Sequence, residues 1–351
     1  MIVKSATKNY SVDLYDNFCV FHALYATENA FWIVDRNVYN IYKDIIFRNI
    51  SLKDVLLIDA YENNKTIETA LFICEKMTEL SAKRNITLIS VGGGITQDIT
   101  GFVANVLYRG IKWIFVPTTL LAACDSCIGG KTSLNYKKFK NLLGTFFPPD
   151  KILIFPEFFI SLSEKDYLSG LGEVVKFNIM AGKDDIDTIK SDMSMLLIRD
   201  KEVLINYVRK SLEFKKNFIE IDEFDRGERI KLNYAHTFGH AFETISNYEI
   251  PHGTAVALGM IVANRISCSR GWLRSELVEK MESVLLRIIK VDLDVISNDE
   301  DKLLSAIRKD KKQIGDSITS VLMHDDMSLE VVHDVTIKEV VDAIGYLRGL
   351  F

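Results

Sequence analysis

Three of the chain's six histidines, His236, His240 and His252, fall within one short stretch. His236 and His240 stand at i, i+4 in Asn233-Tyr234-Ala235-His236-Thr237-Phe238-Gly239-His240, so a helix there presents both imidazoles on one face. His252 follows in Pro251-His252-Gly253. Upstream, Glu173 and Lys176 stand at i, i+3 in Gly172-Glu173-Val174-Val175-Lys176, which puts a carboxylate and an ammonium side by side. Two imidazoles and one carboxylate around a divalent ion leave a coordination position open, the arrangement of a catalytic rather than a structural zinc site. Spacing alone does not say which two imidazoles would ligate. A lone histidine is best read as packed or solvated, whereas a cluster of three with a carboxylate to hand points to metal chemistry.

Two further stretches suit anions. Val91-Gly92-Gly93-Gly94-Ile95-Thr96-Gln97-Asp98 follows a strand-like run and precedes a helical one, where glycines let backbone N–H groups approach a phosphate at a helix N-terminus. A full dinucleotide fingerprint has a third glycine where Gln97 stands, so the turn by itself also fits a plain strand–helix junction. Gly129-Gly130-Lys131-Thr132-Ser133-Leu134-Asn135 leads to Lys137, Lys138, Lys140 and Asn141, and this lysine-rich segment reads as a loop that cradles phosphate. Cys124-Asp125-Ser126-Cys127 has redox spacing, but no second Cys-x-x-Cys exists and packing is the better role for its thiols.

The elements that must carry these residues follow from hydrophobic periodicity. Strands are expected at Phe31–Val34, Val55–Asp59, Ile86–Val91 and Trp113–Val116, alternating with helices at Thr66–Ala82 and from about Ile99 to Tyr108. That order implies a parallel sheet with helices on both faces. After Pro156, amphipathic helical patterns dominate: Lys165–Met180, Ile198–Ile219, Leu232–Ser246, Ala255–Ser269 and Ser275–Ile289. The expected organisation is an α/β domain over 1–155 and a mostly α-helical domain over 156–351, with a site in the cleft between them as the default.

At 351 residues the chain exceeds what one core usually serves. Its 43 Lys and Arg against 48 Asp and Glu give a net charge of −5, which argues against nucleic acid or anionic membrane as the main partner. The first residues, MIVKSATKNY, show no signal-peptide pattern, no apolar run is long enough to span a membrane, and five scattered cysteines suit a reducing compartment. A cytoplasmic protein is expected.

Taken in order, GGGITQD, GFVANVLYRGI, VPTTLLAACDS, GGKTSLN, KNLLGTF, GLGEVVK, RIKLNYAHTFGHAFE, PHGTAVALGM and Asp310-Lys311-Lys312 resemble the sugar phosphate cyclases, and among them the dehydroquinate synthases, over roughly residues 30–315. The resemblance implies a Rossmann-like NAD-binding domain, a helical domain holding one zinc or cobalt ion, and a homodimer. It implies conversion of 3-deoxy-arabino-heptulosonate 7-phosphate to 3-dehydroquinate and phosphate, by transient oxidation, phosphate elimination, reduction and aldol closure. By motif position it makes Glu173, His236 and His252 the metal ligands, and puts His240, Lys176, Asp125 and Asn233, with Glu173, in catalytic positions. Substrate contacts fall on Arg109, Lys131, Asn141, Lys215, Arg229 and the Lys311-Lys312 pair. Cofactor contacts fall on Asp35, Asn37, Glu62, Lys65, Gly93, Gly94, Asp98, Thr118, Thr119 and Lys140.

Relatives that cyclise sedoheptulose 7-phosphate or glucose 6-phosphate handle substrates without a carboxylate. The retained pattern Arg-x-x-x-Asn-x-x-His, from Arg229 through Asn233 to His236, together with Lys215, favours the heptulosonate. Metal-dependent alcohol and glycerol dehydrogenases share the architecture but lack a reason for the lysine-rich segment and the Glu173/Lys176 pair. A non-catalytic relative would have lost a ligand or charged contact, and none is lost here. The departures from the family pattern are Gln97 for a small residue, Ala235 for a glycine, Gly172 for an alanine, Cys127 for a serine and Thr254 for a glutamate beside the His252-Gly253 pair.

Overall fold

Runs of β-branched and aromatic residues build a sheet buried on both faces in the first part of the chain. The computed structural model describes residues 1–80, 83–137, 139–291, 300–308 and 318–351. These form two units, Met1–Leu162 with Leu204–Leu212, and Ser163–Val203 with Glu213–Phe351.

The first unit contains β1 (Ile2–Val3), β2 (Tyr10–Leu14), β3 (Ala30–Asp35), α1 (Arg36–Tyr42), β4 (Val55–Ile58), α2 (Ile67–Glu79), β5 (Thr87–Gly92), α3 (Gly94–Val106), β6 (Lys112–Pro117), β7 (Lys131–Tyr136), β8 (Phe139–Phe146), β9 (Lys151–Ile154) and α4 (Glu157–Ile160). Seven strands form one sheet in the order β1-β2-β9-β6-β5-β3-β4, parallel throughout except for β1 against β2. Leu88, Ile89 and Val91 of β5 and Phe115 and Val116 of β6 are fully buried. The chain moves from β3 to β4 on one side, then returns past β3 to β5 on the other. Right-handed crossovers therefore place α1 and α2 on opposite faces, and the reversal opens a crevice at the carboxyl ends of β3 and β5. Val34 pairs with Val91 and Val91 with Val116, so three strand ends finish level with one another.

The second unit contains α5 (Glu164–Ala181), α6 (Lys183–Leu197), α7 (Lys201–Ile221, with Leu204–Leu212 in the first unit), α8 (His236–Ile245), α9 (His252–Ser269), α10 (Ser275–Leu285), α11 (Glu300–Arg308), β10 (Ile318–Met323), β11 (Leu329–Val335) and α12 (Ile337–Arg348). Every residue of α9 from Gly253 to Asn264 is buried, as befits a helix with apolar or small residues all round. α5, α8, α10 and α12 pack on it. Two of these contacts are backbone to backbone. A Cβ on Gly172 of α5 would lie 2.0 Å from the Gly253 carbonyl oxygen, and one on Gly253 would lie 1.7 Å from that of Ser169. Gly253 N donates to Ser169 Oγ at 3.0 Å across the same contact. A Cβ on Gly259 would lie 2.3 Å from the Ala235 carbonyl oxygen at the start of α8. No helix among the described residues is long and apolar enough to cross a membrane.

The structure corrects several sequence expectations. The lysine-rich segment is not a loop: β7 and β8 form an antiparallel hairpin with Lys131 opposite Phe146 and Tyr136 opposite Phe139. Thr132 and Leu134 alternate inward there, a period of two that the lysine count conceals. The helix expected over Leu232–Ser246 is broken, because Ala235 takes φ +72° between a 3-10 turn (Glu228–Asn233) and α8. α7 starts at Lys201, after the left-handed Arg199 (φ +65°), where the Asp200 side chain accepts from Val203 N at 3.0 Å. α3 starts at Gly94, directly after the glycine turn, and ends before Tyr108 (φ +51°) and Arg109 (φ +62°). Beyond residue 317 lie the hairpin β10–β11 and α12, which opens on a Thr336/Glu339 capping box. The last residues expected for α2, Ser81 and Ala82, lie outside the described residues.

Gly253→Ala is expected to destabilise the full chain by about 3 kcal/mol or more, since a methyl group cannot fit at a backbone contact. Chemical denaturation would read this, and a change under about 0.5 kcal/mol would refute the close contact. Ala235→Gly relieves a left-handed alanine and is expected to leave stability unchanged or raise it by up to about 1 kcal/mol. A loss larger than that in the same assay would show that the alanine methyl contributes packing outweighing the strain.

Candidate active site

α5, α8 and α9 bring one carboxylate and three imidazoles together in the second unit. Glu173 lies midway along α5 and is fully buried. Its Oε1 stands 3.5 Å from His236 Nε2 and 3.3 Å from His252 Nε2, and its Oε2 is ion-paired with Lys176 Nζ, which also donates to the Leu232 carbonyl at 3.3 Å. Neither Glu173 oxygen receives a well-formed hydrogen bond. A buried carboxylate in that condition is rare and costly.

The protons on the two imidazoles sharpen the point. His236 Nδ1 lies 3.1 Å from the Tyr234 carbonyl oxygen, which can only accept, so the neutral ring carries its proton on Nδ1. His252 Nδ1 lies 3.2 Å from Glu243 Oε2, with the same consequence. With both rings neutral, both Nε2 lone pairs would face Glu173 Oε1 and three acceptors would share one space, so the pocket calls for a positive charge there, either a proton or a cation. Burial alone would lower the His252 pKa, but hydrogen bonds to Glu173 and Glu243 and the charges of both carboxylates outweigh it and hold the imidazole up to about 10. The local field thus strongly favours positive charge. The ligating atoms of Glu173, His236 and His252 lie within 4.8 Å of one another. Nitrogen and oxygen donors of this kind suit zinc or cobalt. His240 completes the cluster, its ring centroid 5.4 Å from that of His236 and 5.9 Å from that of His252.

Arg229, Lys215 and Asn233 also lie in this unit. Arg229 is 4% exposed, unlike a solvated arginine at a helix start, and its guanidinium donates to the Glu223 carbonyl. Backbone amides of Arg226, Gly227 and Arg229 converge on the Asp222 carboxylate, with contacts of 2.7–3.1 Å. Burial raises the Asp222 pKa, but these amides outweigh it and hold the carboxyl below its ordinary value. The turn carrying Arg229 is thereby fixed. Lys215 is buried, and Asn233 Nδ2 donates to the Ile230 carbonyl at 2.9 Å.

In the first unit, Asp35–Asn37, Gly93–Gly94 and Thr118–Thr119 come together at the level ends of β3, β5 and β6. Asp35 caps α1 by accepting from Asn37 N at 2.9 Å, and burial raises its pKa against that contact. Gly93 caps α3 without a side-chain hydrogen bond. A Cβ on Gly94 would meet only Ser126 Oγ, at 3.7 Å, so the backbone there is open to a ligand's close approach. Gln97, the departure in this turn, ties α3 to the next one: its Nε2 donates to the Ser126 carbonyl at 2.7 Å and its Oε1 accepts from Ser126 Oγ at 2.8 Å.

A polar network lies between α3 and the β7–β8 hairpin. Lys65 Nζ contacts Asp98 Oδ2 at 2.5 Å and Asn141 Oδ1 at 2.7 Å. Ser133 donates to Asp98 through its backbone N–H at 3.2 Å and its hydroxyl at 2.9 Å. Burial raises the Asp98 pKa, opposed by Lys65 and Ser133. Asn135 Nδ2 donates to Glu62 Oε1 at 2.9 Å, and Lys140 Nζ stands 3.9 Å from that oxygen. Asp125 lies in the turn Ala122–Ser126, Lys131 opens β7, and Arg109 follows α3. Lys311 and Lys312 lie outside the described residues. Cys124 and Cys127 are buried and unbridged.

Sequence reasoning missed Glu243, Ser133 and Asn135. Glu243 was readable only as one more residue on the His236/His240 helix face, and Ser133 and Asn135 only once the hairpin register is known. The carboxylate beside the His252 imidazole comes from Glu243 on α8.

The chain is similar to proteins of one family. Residues 55–169 match the 3-dehydroquinate synthase N-terminal model and residues 170–313 the C-terminal one. The 3-dehydroquinate synthase of Clostridium tetani is 38% identical over 322 residues, covering 91% of this chain and 86% of that one. Two solved structures share the fold. One is 2-epi-5-epi-valiolone synthase from Streptomyces hygroscopicus with NAD+ and Zn2+ bound (TM-score 0.85, 24% identity, 99% of both chains). The other is 2-deoxy-scyllo-inosose synthase complexed with carbaglucose-6-phosphate, NAD+ and Co2+ (TM-score 0.87, 22% identity, 98% of both chains). With both halves of the family's sequence pattern matched in order and its fold reproduced, the chain belongs to the 3-dehydroquinate synthase family.

Proposed function

We propose that the chain is a 3-dehydroquinate synthase, a lyase that releases phosphate from 3-deoxy-arabino-heptulosonate 7-phosphate and closes the carbocycle of 3-dehydroquinate. The observation that carries this reading is the buried Glu173 oxygen faced by the Nε2 atoms of two imidazoles, on a chain of this family. Glu173, His236 and His252 would hold a zinc or cobalt ion. NAD would lie along Asp35, Asn37, Gly93, Gly94, Thr118 and Thr119, with Glu62, Lys65, Asp98 and Lys140 beside it. When bound, the ion polarises substrate oxygens and NAD accepts and returns a hydride.

The chain's own residues do the rest. Lys131 and Arg109 supply positive charge for the phosphate, and Asn141 a hydrogen bond. Arg229 and Lys215 recognise the carboxylate, which a buried guanidinium does well because few waters compete. His240, its ring against those of His236 and His252, takes up and returns a proton at an imidazole nitrogen. Lys176 is held by Glu173 and the Leu232 carbonyl, so its ammonium is a fixed charge rather than a wandering one. Asn233 and Asp125 orient hydroxyls, and much of the rate gain then comes from holding a flexible polyanion in one reacting geometry. A cytoplasmic homodimer, in which Arg109 reaches the neighbouring subunit's phosphate, fits the same reading.

The deciding assay supplies zinc and NAD and measures phosphate release from the heptulosonate 7-phosphate, sedoheptulose 7-phosphate and glucose 6-phosphate, with NADH absorbance followed in parallel. Release from the first alone, without NADH accumulation, is expected. Release from another substrate would assign a different cyclase, and NADH without phosphate would assign a dehydrogenase. Arg229→Ala is expected to raise KM for the heptulosonate by about 10- to 100-fold, the loss of one charged hydrogen-bonding partner, and to leave the NAD dissociation constant unchanged. An equal loss of both would overturn the carboxylate assignment.

A further inference from the structure

We infer that Glu243 is a positioning residue for the metal centre, which fixes the tautomer of His252 and adds its charge to the site; this rests on the metal-dependent reading above. Glu243 stands on α8 seven residues after His236 and three after His240, so all three share one helix face. Its main-chain carbonyl accepts from Tyr248 N at 2.7 Å and from Ser246 Oγ at 3.1 Å, which anchors the last turn of α8. Its Oε2 lies 3.2 Å from His252 Nδ1. An ionised carboxylate only accepts, so it draws the imidazole proton to Nδ1 and leaves the Nε2 lone pair directed at the Glu173 and His236 side.

Removing that acceptor allows a competing arrangement. The His252 proton can move to Nε2, where Glu173 Oε1 stands 3.3 Å away and accepts it. The two ligands then satisfy each other and both are lost to a cation. Glu243 holds the site open by making that tautomer unfavourable. For His236 the same part is played by the Tyr234 carbonyl, two residues back in its own segment, which lies 3.1 Å from its Nδ1. His252 thus receives a full negative charge on its far side, which strengthens its donation through Nε2.

The same tautomer decides between two possible ligand sets. His240, Glu243 and His252 also bring donor atoms within 4.8 Å of one another. A neutral imidazole has one lone-pair nitrogen, and His252 offers its own to Glu173 and His236 rather than to Glu243. The outer trio is thus support for the inner one.

The test compares full-length wild type, Glu243→Gln, Glu243→Ala and His236→Ala. It reads zinc affinity by chelator competition, the visible spectrum of the cobalt-loaded protein, NAD affinity and the unfolding midpoint of the metal-free protein. Glu243→Ala is expected to weaken zinc binding by about 10- to 100-fold and to change the cobalt spectrum, with NAD affinity unchanged and the metal-free midpoint only modestly lowered at neutral pH, since His252 loses one carboxylate partner. Glu243→Gln, whose amide oxygen still accepts from Nδ1, is expected to recover most of that affinity. Wild-type affinity and spectrum in Glu243→Ala, with binding lost in His236→Ala, would overturn this inference alone. No zinc or cobalt binding by the wild type would overturn the metal reading beneath it.

Discussion

The second unit depends on a contact between two helix backbones. At Gly172 and Gly253 the main chains of α5 and α9 touch, and the Ser169 hydroxyl stitches them together. Each glycine adjoins a residue of the candidate metal site: Glu173 comes directly after Gly172, and His252 directly before Gly253. Any side chain at the contact would separate the helices by roughly the width of a methyl group, and the two side chains that meet at 3.3 Å would part with them. The departure at Gly172 is therefore a steric requirement of this chain. An alanine there would run into the Gly253 carbonyl.

The first unit solves a different problem, that of gathering groups from distant parts of the chain onto one edge. Parallel strands in level register do this without special contacts, because each strand ends where its neighbour ends. Asp35, Gly93 and Thr118 are separated by scores of residues along the chain but by only a strand spacing or two across the sheet. Gln97 and Ser126 then lock the turn after β5 to the turn after β6. The polar network of Lys65, Asp98, Ser133 and Asn141 ties α3 to the hairpin beside it. Charged side chains there are held by one another, so their positions are set before any ligand arrives.

Much of this was legible in the sequence. The parallel sheet, the helical second half, and the grouping of Glu173 with His236 and His252 follow from periodicity, spacing and family likeness. What escaped has physical reasons. A left-handed alanine leaves no mark in a hydrophobic pattern, so the break at Ala235 was invisible within an otherwise helical run. A hairpin rich in lysine looks like a solvated loop, because charge conceals the inward alternation of Thr132 and Leu134. Glu243 was hidden because its partner is nine residues away across a bend, a pairing that no helical period predicts. Gln97 was read as a defect in a glycine turn, and only the neighbouring turn reveals what its amide is for.

The break at Ala235 has a wider meaning. By leaving helical geometry at Tyr234 (ψ 130°) and Ala235, the chain frees the Tyr234 carbonyl from the helical ladder and turns it onto the ring of His236. That restraint is wholly local: it spans three residues and exists as soon as the turn forms. The restraint on His252 is borrowed from α8 and exists only once α8 has docked on α9. The two imidazoles therefore differ in what holds them, the first by its own segment and the second by the packed bundle. With α8 and α9 apart, one imidazole would keep its restraint and the other would lose it, so the proposed ion site is complete only in the assembled bundle.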